Sequence, residues 1–101
     1  MQFEFDRAKS EANKRKHGIS LEDATRIWQE AYLEISARTL DEPRWMALGQ
    51  IHKKAYACIY TIRGDSIRLI SCRRARNKEA RLYHAYLKEK NNESEDDRVG
   101  I

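Results

Sequence analysis

Three apolar runs separated by very short polar connections occupy the middle of the chain. The runs are 44–51, 55–62 and 66–72, and the connections are His52-Lys53-Lys54 and Arg63-Gly64-Asp65. Connections this short join neighbouring antiparallel strands, whereas parallel neighbours need a long crossover. The alternating segment 32–37 comes before them and adds another strand. The sequence therefore predicts a small antiparallel sheet.

Segments with helix signals precede and follow these strands in the sequence. Asp6 is placed to cap a helix from about Arg7 to His17, and Gly18 to end it. Ser20 opens a second short helix that ends near Glu30. A short strand around Phe3 precedes the first helix, and a last helix is predicted over 77–90. The fold class is therefore α+β, with two N-terminal helices and one C-terminal helix packed on the sheet.

The length and charge of the chain limit how many domains it can form and what kind of partner it can bind. With 101 residues the chain is long enough for one core, and we assign the domain to 1–90. The segment 91–101 holds four acids and one base and is predicted to be a disordered tail. The remaining 1–90 carries 19 basic and 12 acidic residues, which suits a polyanionic partner, either nucleic acid or an acidic protein. No apolar run could span a bilayer and no signal peptide is visible, so the sequence predicts a cytoplasmic protein with no membrane partner.

The chain contains two cysteines and three histidines, the residue types that form disulfides or bind zinc. Cys58 and Cys72 both lie in apolar runs, which favours two buried free thiols over a disulfide. No cysteine–histidine spacing indicates zinc, and we predict no cofactor.

A run of cations links the last strand to the last helix. Its members lie within 66–86 and are Arg68, Arg73, Arg74, Arg76, Lys78 and Arg81. Some of these side chains belong to an ordinary solvated face, Lys78 and Arg81 above all. By simple alternation Arg68 shares a face with Ile70 and Cys72, so it either pairs with Glu79 or Asp65 or lines a cleft.

Guanidinium groups at one strand end suit phosphate chemistry. Arginine donates two parallel hydrogen bonds to a phosphate and stays charged. RNA supplies its own nucleophile, the 2′-hydroxyl, so cleavage needs only cations, a base and an acid. Arg73 and Arg74 point in opposite directions if the strand is regular. Nucleic-acid binding without cleavage needs the same cations, and composition does not separate the two.

Both ends of the domain resemble the BrnT-type toxins of bacterial toxin–antitoxin modules. The stretches that carry the resemblance are "FEFDRAKSEANKRKHGISLEDA" and "GDSIRLISCRRARNKEARLYHAY". The first holds the aromatic strand, the aspartate, the helical asparagine and the Lys-His-Gly stop of that family. The second holds its Arg-x-Ile-Ser strand, two arginines and an alanine, and a helix with glutamate and tyrosine. Cys72 stands where the family usually has alanine. The resemblance covers about 2–90.

The resemblance implies a RelE-like fold and a metal-independent, ribosome-independent endoribonuclease that slows growth. It also implies a BrnA-like antitoxin with a ribbon-helix-helix DNA-binding part. Two toxins and two antitoxins would then form a heterotetramer that reaches operator DNA through the antitoxin and represses its own operon. The antitoxin would cover the cationic cleft or a sheet edge, for which the N-terminal strand and the hairpin 44–62 are candidates.

Six residues are predicted to form the catalytic site on this basis. They are His17, Arg68, Arg73, Arg74, Glu79 and Tyr83. Each has a structural alternative: His17 can interact with a helix C-terminus, Glu79 with a helix N-terminus, and Tyr83 can belong to the core. His52 and His84 are predicted at the surface, and both tryptophans, Trp28 and Trp45, in packing.

Two functions of different kind therefore remain open. The first is an endoribonuclease toxin, and the second is a non-catalytic module that binds nucleic acid or an antitoxin through the same basic surface. A degenerate toxin that keeps antitoxin binding and has lost cleavage is a form of the second.

Overall fold

The structure is a computed structural model that describes residues 2–37 and 42–99, with the side chains of 92–99 left out. Its elements follow the predicted order along the chain. They are β1 (Gln2–Glu4), α1 (Arg7–His17), α2 (Leu21–Ala24), a 3₁₀ turn (Thr25–Gln29), β2 (Leu33–Ala37), β3 (Arg44–Ile51), β4 (Lys54–Arg63), β5 (Ser66–Arg74) and α3 (Asn77–Val99).

The five strands form one mixed sheet in the order β1-β5-β4-β3-β2. Strands β2 to β5 pair antiparallel with their sequence neighbours, as predicted. β1 instead pairs parallel with β5, with Glu4 level with Arg68. The prediction of a wholly antiparallel sheet is therefore wrong for β1. Short turns fix the direction of consecutive strands only, and the long stretch between β1 and β5 permits a parallel arrangement.

The edges of the sheet also differ from the prediction. β1 and β2 are its two edge strands, whereas β3 and β4 lie inside it. The N-terminal strand is thus confirmed as an edge, and the assignment of the hairpin 44–62 as an edge is wrong. The hairpin is covered because β2 pairs with β3 and β5 pairs with β4.

Local capping sets the bounds of the N-terminal helices. The Asp6 carboxylate accepts from the Lys9 N–H at 3.0 Å, and the Ser20 hydroxyl accepts from the Asp23 N–H at 3.0 Å. Gly18 ends α1 with a φ of 78°, a left-handed conformation that glycine adopts without a steric cost. These starts and stops are confirmed as predicted.

Helices cover both faces of the sheet. On one face, which we call the α1 face, α1, α2 and the 3₁₀ turn bury the larger cluster. Its buried members are Ile19, Leu21, Ala24, Ile27, Ala47, Ile51, Cys58, Tyr60, Ile67, Leu69 and Cys72. The opposite α3 face holds a smaller cluster of Leu48, Ala57 and Tyr83. Trp28 and Trp45 pack against the first cluster, as predicted.

A glycine lets the 3₁₀ turn approach the sheet closely. A Cβ added at Gly49 would lie 2.8 Å from Cγ2 of Ile27, which is fully buried. A larger residue at this point of β3 would force the Ile27 side chain to shift, so glycine permits the close approach of the 3₁₀ turn to the strand.

Cys58 and Cys72 are free and buried, as predicted, and face each other across β4 and β5. Burial, together with the neighbouring Cys72 thiol, raises the pKa of the Cys58 thiol. The pair serves as small apolar packing on the α1 face.

The last helix is longer than predicted. It continues through 91–99, a segment that the sequence assigned to a disordered tail, because neither glycine nor proline interrupts the chain between Asn77 and Val99. The division into a domain of 1–90 and a tail of 91–101 stays a prediction. None of the described helices is long and apolar enough to cross a membrane.

Candidate functional site

A β-bulge in β5 decides which side chains of this strand share a face. Ile59 pairs with Ser71 and Tyr60 pairs with Leu69, so Ile70 is an extra residue. Leu69 and Cys72 are consequently buried together on the α1 face. Arg68 does not share a face with Cys72, and the face assignment made from simple alternation is wrong. One extra residue reverses the alternation of everything beyond it.

Arg73 lies on the α3 face and is bound to Glu79. Its Nη1 and Nη2 donate to the two carboxylate oxygens at 2.8 and 2.9 Å. The same carboxylate accepts from the Arg76 N–H at 2.8 Å, at the start of α3. Hydrogen bonds from Arg73 lower the pKa of Glu79, and the bonded carboxylate raises the pKa of Arg73. The pair therefore joins the end of β5 to the first turn of α3.

Arg74 lies on the α1 face, on the other side of the sheet from its neighbour. Its guanidinium carbon is 5.7 Å from the ring centroid of Tyr56, the residue opposite it on β4. The residue is exposed, and no ion pair joins it to a carboxylate of the described residues. The opposite orientation predicted for Arg73 and Arg74 is confirmed. An exposed guanidinium held over an aromatic ring is available to an anionic ligand.

His17 is placed by a buried asparagine of the same helix. The Asn13 side chain donates to the carbonyl oxygens of Ile19 and Cys72 at 2.7 and 2.8 Å and accepts from the Cys72 N–H at 3.2 Å. α1 starts beside the end of β1, level with Arg68, and reaches Cys72 at Asn13. Its last turn therefore lies toward Arg74. That turn is basic throughout, with Lys14, Arg15, Lys16 and His17.

The hairpin between β3 and β4 lies at the same end of the sheet. β4 begins at Lys54, and its Ala55 carbonyl accepts from the Ala75 N–H at 2.9 Å, just beyond Arg74. We call this region the cationic end. It comprises 14–17, 52–54 and 73–78.

Arg68 lies apart from the cationic end. The Nη1 of Arg68 lies 3.7 Å from the Glu4 carboxylate on β1, and both side chains are partly exposed. The sequence suggested Glu79 or Asp65 as the partner, and this expectation is wrong. Six residues of strand, about 20 Å, separate it from Arg74, which is also on the other face. One phosphate group cannot contact both residues. The structure therefore does not gather all three predicted arginines in one place.

Tyr83 belongs to the core of the α3 face. It is 3% exposed, and its hydroxyl donates to the Ala31 carbonyl at 3.2 Å. Burial raises the pKa of the Tyr83 hydroxyl. The geometry gives Tyr83 a structural contact between α3 and the start of β2.

Sequence reasoning missed Arg44. It pairs with Ala37 on β2. The register between β3 and β4, continued by one residue, places Arg44 opposite Thr61. Thr61 in turn pairs with Arg68 on β5. Arg44 and Arg68 therefore flank Thr61 in one row across the α3 face. The Nε of Arg44 is buried and has no hydrogen-bond partner among the described residues. Counting the register back from the hairpin would have placed Arg44 opposite Thr61.

The predicted residues line none of three concavities on the described surface. The first is lined by Arg26, Gln29 and Glu30 with 50–53, the second by 29–34 with Tyr86 and Lys90, and the third by Phe5 with Arg7, Ser10, Glu11 and Glu22. Within the described part of the chain, no three His, Cys, Asp or Glu side chains cluster as a metal site.

A comparison of the sequence with known protein families shows which family the chain belongs to. The sequence matches the family described as "Ribonuclease toxin, BrnT, of type II toxin-antitoxin system" over residues 5–79. The chain belongs to the BrnT family. Membership in this family of type II toxins implies RNA as the substrate and an antitoxin as the partner. A search of curated proteins found no match.

The BrnT match covers most of the predicted site. It includes β5 and the first turn of α3, and thereby Arg68, Arg73, Arg74 and Glu79. It also includes α1 with His17. Tyr83 lies beyond the matched residues.

Proposed function

We propose that this BrnT-family chain is an endoribonuclease that cleaves RNA at the cationic end, with Arg74 contacting the scissile phosphate. The observation that carries the proposal is the position of Arg74, exposed over Tyr56 and joined to no described carboxylate. The basic last turn of α1 lies on the same face. Since a guanidinium donates to two phosphate oxygens at once, it stabilises the extra negative charge of a phosphorane.

The proposed reaction uses the 2′-hydroxyl of the RNA as the nucleophile. Its oxygen attacks the adjacent phosphorus, the bond from phosphorus to the 5′-oxygen breaks, and a 2′,3′-cyclic phosphate and a 5′-hydroxyl are formed. A base accepts the proton of the 2′-hydroxyl, and an acid donates a proton to the leaving 5′-oxygen. His17, in the basic last turn of α1, is our candidate for one of these two proton transfers. The reaction as written requires neither a metal ion nor a ribosome.

Arg73 and Glu79 have a different role in this proposal. Both terminal nitrogens of Arg73 are already bonded to the carboxylate, so the pair positions the end of β5 and with it Arg74. Arg68 is held only by a long contact to Glu4 and is our candidate for a phosphate several nucleotides along the strand from the scissile one, on the α3 face with Arg44.

The finer features of the module are also part of the proposal. We propose a RelE-like fold, a BrnA-like ribbon-helix-helix antitoxin and a complex of two toxins and two antitoxins that represses its operon. We further propose that the protein acts in the cytoplasm, where its RNA substrate is made. The edge strands β1 and β2 are the sheet edges open to an antitoxin segment.

A degradation assay tests the nuclease. Antitoxin-free protein is incubated with purified RNA in EDTA, without ribosomes. Wild type is compared with Arg74→Ala, Arg74→Lys and His17→Ala, and with Arg81→Ala as the control at an exposed arginine of α3. We expect about 100-fold slower cleavage with Arg74→Ala, typical for removal of one transition-state donor. Arg74→Lys should restore part of the rate, because lysine keeps the charge and loses the paired donors.

The structure also gives one reason to keep the second function. The predicted catalytic residues lie on both faces of the sheet, and they line none of the three concavities named above on the described surface. A module that only binds nucleic acid or antitoxin needs no such convergence. Intact RNA after incubation with folded wild-type protein would favour this binding function and contradict the nuclease.

A further inference from the structure

The turn between β3 and β4 has an unusual backbone for its residues. His52 and Lys53 both have positive φ, at 51° and 67°, as in a type I′ hairpin turn. Asn-Gly and similar pairs are preferred there, because a Cβ is disfavoured in the left-handed region. The chain instead holds a histidine and a lysine at the tip, and both are exposed. Backbone strain of this kind is concentrated at functional positions.

A concavity of about 280 Å³ lies beside this turn. It is lined by Arg26, Gln29, Glu30, Gln50, Ile51, His52 and Lys53. The 3₁₀ turn supplies Arg26, Gln29 and Glu30, and the close contact of Ile27 with Gly49 fixes it against β3. The 3₁₀ turn and the hairpin between β3 and β4 therefore form the walls.

The lining has the chemistry of a ribonucleotide site. Arg26, His52 and Lys53 are donors suited to a phosphate, and the two glutamines add amide donors. Glu30 is the single carboxylate and accepts hydrogen bonds only. A ribonucleotide offers both partners, an anionic phosphate and a 2′-hydroxyl that donates. An acidic peptide would leave Glu30 facing another anion.

We propose that this concavity is a subsite for one ribonucleotide unit of the RNA strand, outside the position of cleavage. Arg26, His52 and Lys53 bind its phosphate, and Glu30 accepts from the ribose 2′-hydroxyl. The turn belongs to the cationic end, so a strand lying against Arg74 can extend to it. This inference rests on the proposed nuclease function for its substrate, and its first test does not depend on cleavage.

The first test uses mononucleotides, which contain no bond that the enzyme could cleave. Uniformly ¹⁵N-labelled protein is titrated with AMP, dAMP and adenosine, and amide shifts are followed. We expect AMP to shift the amides of Arg26, Glu30, His52 and Lys53, dAMP to bind severalfold more weakly, and adenosine to leave these amides unchanged. Absence of shifts at millimolar AMP would overturn the proposal.

Two double variants that remove the same charge, one inside the concavity and one outside it, show where AMP binds. Arg26→Gln with Lys53→Gln should weaken AMP about tenfold or more, because bonds from charged groups are lost. Glu30→Gln should abolish the preference for AMP over dAMP. The control is Arg63→Gln with Lys88→Gln, which removes the same charge from exposed positions outside the concavity and should bind AMP like wild type. Equal weakening in both double variants would indicate general electrostatic attraction and overturn the subsite.

Cleavage kinetics then identify the source of the nucleotide. If the subsite holds the RNA strand, Arg26→Gln with Lys53→Gln raises KM for an RNA substrate by severalfold, with a smaller effect on kcat. AMP binding with an unchanged KM would mean that the concavity takes free nucleotides, and would overturn the assignment to RNA. Loss of antitoxin binding alone, with AMP and RNA unaffected, would assign the surface to the partner and also overturn it. If wild type does not cleave RNA, the proposed nuclease fails, whereas the AMP result still decides the subsite.

Discussion

The guanidinium of Arg73 donates to both carboxylate oxygens of Glu79, and this pair joins the end of β5 to the first turn of α3. Arg74 is next in the chain and points to the other side of the sheet, over Tyr56. Two adjacent arginines thereby have separate tasks. One fixes the backbone, and the other stays available to a ligand.

Replacing Glu79 should lower stability in a pH-dependent way. The side chains of Arg73 and Glu79 are 25% and 18% exposed, so we expect Glu79→Gln to lower the free energy of unfolding by about 1–2 kcal/mol at pH 7. The folded-state pKa of Glu79 is lowered, so its contribution is present above the unfolded pKa of about 4.3 and is lost as the pH falls through the folded-state value. Urea unfolding of wild type and Glu79→Gln at pH 7 and pH 3 measures the loss of stability and its dependence on pH.

The exposed Glu89→Gln on α3 is the matched control, with no expected change at either pH. A difference between wild type and Glu79→Gln that persists unchanged at pH 3 would contradict the ion-pair explanation.

Asn13 should be the most sensitive polar residue of the α1 face. Its amide makes three buried hydrogen bonds, to Ile19 and to both backbone groups of Cys72. Asn13→Ala leaves these groups without partners, and we expect a loss of about 3 kcal/mol in the free energy of unfolding. Asn13→Asp should be as damaging, because a carboxylate cannot donate to two carbonyls. Asn91→Ala at an exposed position serves as the control, and equal unfolding midpoints for both alanine variants would refute the prediction.

Tyr83→Phe separates a structural tyrosine from a catalytic one. Removal of the hydroxyl breaks the bond to the Ala31 carbonyl, and we expect a loss of about 0.5–1.5 kcal/mol with RNA cleavage retained. Chemical unfolding and cleavage rates are measured on the same preparation, with Tyr86→Phe on the same helix as the control. A large loss of cleavage without loss of stability would return Tyr83 to the catalytic group.

Gly49→Ala tests the close contact of the 3₁₀ turn with the sheet. The new Cβ would lie 2.8 Å from Cγ2 of Ile27, and we expect overpacking to cost about 1–3 kcal/mol. Ile27→Ala removes that methyl group, so the cost of Gly49→Ala should nearly vanish in its background. A double-mutant cycle in urea measures the coupling, and additive effects would show that the two positions do not compete for space.

Part of the candidate site could be read from the sequence. The family motifs pointed to α1, β5 and the start of α3, and the match over 5–79 confirms the family. The partners of the site residues could not be read in the same way. Arg68 pairs with Glu4, which is distant in the chain, and Arg44 is level with Thr61 only through the sheet register.

The order of the elements and most of their bounds follow from the sequence alone, because caps, stops and apolar alternation act over a few residues. Asp6, Gly18 and Ser20 set the helix bounds, and the short turns set the directions of β3, β4 and β5. Tertiary structure alone decided that β1 pairs parallel with β5 and that Ile70 forms a bulge. Both depend on contacts between distant segments, and a one-residue bulge reverses every face beyond it. That reversal puts Arg73 against α3 and leaves Arg74 open.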